Sequence, residues 1–202
     1  MALKFDFGDG KGPVPAHRHQ NHDGTTGGWV ADTAIVASTA LVHATAKVFG
    51  HARVLDKAAI RNQAKIFDNA QIDGNAQVYG FAQISGNARA GGTSRIYGQA
   101  IVTHFAEVLG NTLVGEDAII SDYAHIIDRA DILGSANIFG EAVIGRDTLV
   151  CGKAKVGGDV KLFLSKSEPI GGSVELLSNS EYMNRSHGSV AKLLQLDHDI
   201  GF

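Results

Sequence analysis

Apolar residues recur along the middle of the chain with a period of six. Every sixth residue from Val36 to Val156 is apolar, and 20 of these 21 positions hold Val or Ile, Ala90 being the exception. Two residues before each stands a small residue, Ala at 18 positions and Ser94, Thr112 and Thr148 at the other three. Residues two apart on a strand project from the same side, so each small–large pair predicts one short strand with both side chains facing inward. A period of six fits neither a helix nor one long strand, and the unit is therefore a short strand plus a corner. The corners are visible too. From residue 50 to residue 158, the position two after the aliphatic residue holds Gly at 11 of 19 places, and Asp56, Asn62, Asp68, Asp122 and Asp128 fill five more. These residue types tolerate the left-handed backbone that a sharp, repeated turn requires. His104, Glu116 and Arg146 are the three departures.

Three strands and three corners close one triangular coil of 18 residues, and coils stack by parallel pairing about 4.8 Å apart. The pattern runs uninterrupted over residues 28–162, which predicts an all-β, single-stranded parallel β-helix of about seven coils, a prism roughly 36 Å long. Residues 1–27 read as an N-terminal lead or cap. Residues 163–202, which lose the hexad at Lys166–Gly172, read as a tail for capping or oligomer contact. Within that tail, Ser189 followed by Val190, Leu193, Leu194 and Leu196 predicts a short helix capped at the serine. Periodicity does not set the hand of the coil, and the general preference for right-handed crossovers favours a right-handed one.

A net charge of −3 gives no global signal for nucleic acid or an anionic membrane. One cysteine, Cys151, excludes an intramolecular disulfide and fits a reducing compartment. The first residues lack the apolar core of a signal peptide, and no apolar run is long enough to span a bilayer, so the expectation is a soluble cytoplasmic protein. Charge is segregated along the sequence. Residues 46–100 hold seven basic and three acidic residues, whereas residues 101–150 hold two and eight. The basic half, with Lys47, Arg53, Lys65, Arg89 and Arg95, is where a small anionic, nucleotide-like ligand is expected.

His104 and Asp122 occupy the same corner column one coil apart, close enough for the carboxylate to orient the imidazole as a general base. Tolerance of histidine for a left-handed corner explains that position equally well without chemistry. His125, outward on the next coil, completes a conceivable His104/Asp122/His125 metal cluster. A second candidate metal set is His17, His19 and His22 with Asp23, the first two sharing one side of an extended segment; a solvated polar lead-in is the competing reading. Aromatic residues gather at two edges, Phe49, Phe67, Phe105, Tyr123 and Phe139 along one and Tyr79, Phe81 and Tyr97 along another. They predict either a contact surface or plain stacking along each column.

Repeats such as Asn69-Ala70-Gln71-Ile72-Asp73-Gly74-Asn75-Ala76-Gln77-Val78-Tyr79-Gly80 resemble the hexapeptide-repeat proteins. The Ala-x-Val-x-Gly-x form and the lead-in Gly27-Gly28-Trp29-Val30-Ala31-Asp32-Thr33-Ala34 are similar to a YdcK-like branch of bacteria and bacteriophages, described as acetyltransferases. The resemblance implies a left-handed parallel β-helix, a homotrimer, and acyl-CoA-dependent acetyl transfer in a groove between subunits, with acetyl-CoA as the cofactor and His104 as base. A phage member would work in the host cytoplasm or the virion. Gamma-class carbonic anhydrases hold zinc by histidines on the same fold, but their spacing is not reproduced here. The acyltransferases typically carry chemistry on loops that interrupt the coils, and residues 28–162 contain no such loop. The first expectation is therefore a non-catalytic binding or structural module, a homotrimer that takes a small anionic ligand or a protein partner. The acetyltransferase is the alternative.

Overall fold

The computed structural model describes residues 3–177 and the strand at 181–182, and in it the chain is an all-β parallel solenoid of about eight turns. Three strands open the fold: β1 (Lys4–Phe5), β2 (Val14–Gln20) and β3 (Thr26–Ala31). The last of these begins the first face of the prism, β4 (Ile35–Val36) begins the second and β5 (Leu41–Val42) the third. From there each face grows by one two-residue strand every 18 residues; Ile72, for example, lies between Val54 and Ala90 in register. All the predicted inward positions from Val42 to Val156 are fully buried, and Val36, in the first coil, is half-buried. Each such Val or Ile contributes about 1.5–3 kcal/mol by leaving water.

The 19 predicted corners all have positive φ, from 53° to 84°. His104, Glu116 and Arg146 obey the same geometry, with φ of 59°, 60° and 55°. The aspartates offset their left-handed backbone by bonding across coils. Asp56, Asp68, Asp122 and Asp128 accept the backbone N–H of Gly74, Gly86, Gly140 and Arg146, one coil on, at 2.9, 3.2, 3.0 and 2.8 Å. The first coil turns differently. Asp32, Ser38 and Ala44 are not left-handed, and the hydroxyls of Thr33, Thr39 and Thr45 donate to the carbonyls of Gly50, Asp56 and Asn62.

A stacked coil leaves unpaired backbone groups at its ends, and the histidine-rich lead satisfies them here. β2 pairs antiparallel with β3 and covers the end of the first face. Beyond it, Asn21 imitates a strand under the third face: its Oδ1 accepts the Val42 N–H at 2.9 Å and its Nδ2 donates to the Val42 carbonyl at 3.2 Å. His19 bonds the Ala40 backbone and Arg18 donates to the Ala44 carbonyl at 3.2 Å. A bulge between Arg18 and Gln20 breaks the strand alternation, so His19 is buried while His17 faces solvent and meets Asp32 at 2.9 Å. The expectation that His17 and His19 share one side is corrected by that bulge.

Burial pushes the His19 imidazole below its ordinary value, with the Ala40 bond opposing and the charge of His17 adding to the shift. A depressed histidine stabilises the fold fully above its unfolded value near pH 6.5, and the contribution is lost as pH falls below that. Amide protection over β2 and β3 should therefore drop between about pH 7 and pH 5, and His19→Gln should flatten the dependence. An unchanged slope in that variant would assign the effect elsewhere.

Stacking does not stop at Leu162. Val150 bridges Ile170 and Lys155 pairs with Glu175, so the last coil spans 20 residues instead of 18. Thr148 explains the exception: its hydroxyl donates to the Gly145 carbonyl and accepts the Leu164 N–H, both at 2.7 Å, fixing the start of the enlarged loop. Lys166 then leans back to Asp131 at 2.8 Å. The helix expected from Ser189 lies outside the described residues.

Candidate functional site

The same two coils, 101–118 and 119–136, carry three adjacent side-chain rungs. At the corner between the first and second faces, His104 Nδ1 lies 3.6 Å from Asp122 Oδ1. Next to it, the rings of Phe105 and Tyr123 stack at 4.9 Å with 4° between their planes. On the second face, His125 Nδ1 lies 3.1 Å from Glu107 Oε2. A carboxylate only accepts, so that bond puts a proton on Nδ1. The two His–carboxylate rungs run in opposite order along the axis, because His104 belongs to the lower coil and His125 to the upper one.

The predicted His104–Asp122 pair is thus brought together, while His125 is committed to Glu107. Among the described residues, no group of three or more His, Cys, Asp or Glu is arranged to hold a metal ion. Both members of the pair are wet, His104 at 62% and Asp122 at 45% side-chain exposure. Asp122 already accepts the Gly140 N–H through Oδ2 at 3.0 Å, a corner bond it shares in kind with three other aspartates. The separation of 3.6 Å is longer than a hydrogen bond, and no wall shields the pair from water. In the lead, His17 is held by Asp32, His19 is buried against the first coil, and His22 is exposed.

The expected anion-binding residues are dispersed. Lys47 and Lys65 are neighbours on the first face, Arg53 and Arg89 flank Gln71 on the second, and Arg95 is on the third. Lys47 is drawn into the cap, with its ammonium 5.3 Å from the Phe5 ring and 3.4 Å from the Phe7 carbonyl. Arg89 donates to Asp73 at 2.9 Å, and that carboxylate holds its guanidinium proton more firmly. Arg95 alone borders a depression, of about 220 Å³, beside Arg129 and Lys166. Those two neighbours are paired with Asp147 and Asp131, each at 2.8 Å. An adjoining trough of about 630 Å³ is lined by Asp128, Arg146, Leu164 and Ser165 among others, again with mixed charge. Counting in steps of 18 would have placed the five cations on three faces from sequence alone.

The aromatic columns stack along the axis as well as meeting solvent. Phe49 lies on Phe67 at 5.0 Å and Tyr79 on Tyr97 at 5.4 Å. The lower column runs into the cap, where Phe7 stacks on Phe49 at 4.8 Å and Phe5 on Trp29 at 4.4 Å. Farther along, the rings stay wet: Phe105 is 47% and Tyr123 55% exposed, and Phe81 is 57% exposed. No family model matches the chain, and no curated protein matches it either.

Proposed function

We propose that the protein is a non-catalytic assembly and binding module, a left-handed β-helix of hexapeptide-repeat type that works as a homotrimer and presents its sides to a protein partner. The observation that carries this reading is the unbroken stack from Gly28 to Leu162, in which every corner from residue 50 onward is the same tight turn. A stack of identical turns offers a stiff, ridged surface and no loop to close over a small substrate. The five expected cations are spread over three faces, with Arg89 held by Asp73 and Lys47 drawn into the cap, which favours a protein partner over a small anionic, nucleotide-like ligand. Kinship with YdcK-like proteins of bacteria and phages belongs to the same proposal and rests on the Ala-x-Val-x-Gly-x repeat.

A second reading is acetyl transfer from acetyl-CoA in a groove between subunits, with His104 as general base, and the approach of His104 to Asp122 is what favours it. The two readings part on turnover. Incubating the protein with acetyl-CoA and a panel of amine and hydroxyl acceptors should release no CoA above background. Saturable turnover that falls roughly 10²–10⁴-fold in His104→Ala would replace the module with the enzyme.

A further inference from the structure

We infer that the prism binds one structural water in its interior, held by Ser94 and Thr112 in space that Ala90 leaves open. Among the described residues, four buried side-chain polar atoms have no hydrogen-bond partner, and two of the four are the hydroxyls of Ser94 and Thr112. The two residues are 0% and 1% exposed. They stand one above the other on consecutive coils, since the strands that follow them pair Arg95 with Leu113. Buried hydroxyls are bonded in the large majority of cases, to protein or to ordered water, so two of them stacked in an aliphatic interior call for a shared partner.

The space lies at the same level. Ala90 is the one inward position of its column set, from Val36 to Val156, that lacks Val or Ile, and only the turn at 91–93 separates it from Ser94. In register it stands between Ile72 and Val108. Paired strands on both sides hold this coil at the ordinary rise, so the backbone cannot close in on the missing side chain. Val or Ile there would add two or three heavy atoms, and a water, whose share of liquid volume is about 30 Å³, fits in their place. The chemistry suits water too. The lining is neutral, each hydroxyl can donate or accept, and the Gly91 carbonyl, which takes the Ser94 N–H only at 3.3 Å, has a second lone pair for a third bond. Thr112 also lines the depression at Arg95 and Asn111, which gives a water a short way in. The same column displays the dry alternative: the Thr148 hydroxyl donates to the carbonyl three residues back and accepts the Leu164 N–H. Ser94 and Thr112 make neither kind of bond.

Oxygen-17 magnetic relaxation dispersion counts long-lived waters and tests the site on the intact chain. Ser94→Ala/Thr112→Val installs the commonest residue of the column at one position and keeps the shape of threonine at the other. This variant should fold and hold one long-lived water fewer than wild type. Melting temperature gives a second readout. Ala90→Val should lower it in the wild-type chain, where the added methyls expel the water and orphan both hydroxyls. The same substitution should raise it in Ser94→Ala/Thr112→Val, where the methyls fill the space. An equal water count in the two proteins would overturn the site. So would an Ala90→Val effect of one sign in both backgrounds: a rise in both means that the hydroxyls bond their own turns in a dry interior, and a fall in both means that there is no room. If a variant fails to fold, water-to-methyl NOEs at Ala90 and Thr112 in wild-type protein decide, present at a hydrated site and absent at a dry one.

Discussion

Ile126→Asp gives no folded protein. Ile126 is fully buried, with Val108 below and Ile144 above it in register, and the interior it faces is lined by aliphatic side chains. An aspartate there has no donor to accept from and no route to water. Burying the charge costs several kcal/mol, and protonating it leaves an unpaired polar group in place of a packed side chain. Domains of this size are stable by about 5–15 kcal/mol, and a solenoid passes damage to both neighbouring coils. Expression should give insoluble protein, or protein without a cooperative thermal transition by circular dichroism. Soluble protein with the wild-type melting temperature would mean that position 126 does not point inward.

Gly28→Ala should strike one end of the molecule instead of the whole. A Cβ at residue 28 would stand 2.2 Å from the Ala46 carbonyl oxygen and 2.6 Å from that of His43. Both obstacles are backbone of the first coil, which cannot swing aside as a side chain does. Relieving them means lifting β3 away from its partner strand at Lys47–Val48, and with it the hairpin whose Arg18, His19 and Asn21 close the third face. The expected loss is about 3 kcal/mol, at the upper end for overpacking. Hydrogen exchange locates it: amides of residues 14–48 should lose protection while those of residues 59–150 keep theirs. Uniform loss of protection along the chain would show that the cap and the stack unfold as one unit.

The middle of this fold is legible because a triangular coil constrains its residues so tightly. The interior admits a small residue and a branched one per strand, and the corner admits left-handed backbone, so Val42 through Val156 and the 19 corners could be assigned by counting. His104, Glu116 and Arg146 break the composition of the corner without breaking its geometry. The ends obey other rules. The bulge at Arg18–Gln20 turns His19 inward and leaves His17 outside, and periodicity carries no trace of it. Asn21 works by side-chain mimicry of a strand, which a polar segment does not announce. At the other end, Thr148 was a visible substitution for Ala, but its role emerges only with the Leu164 N–H bonded to it.

At the candidate site, the step of 18 correctly brings His104 toward Asp122, as it does Phe105 toward Tyr123. The partner of His125 was equally countable, since Glu107 lies one coil before it. The five cations fall on three faces for the same reason. Closeness in sequence on a solenoid means a different face, and only multiples of 18 mean neighbours.

Native mass spectrometry of protein taken directly from cells tests the proposed module most directly, because it reports assembly and retained molecules together. A homotrimer should appear at three times the 21.2 kDa chain mass, with no small ligand bound. A monomer, or a trimer carrying acetyl-CoA or CoA, would contradict it.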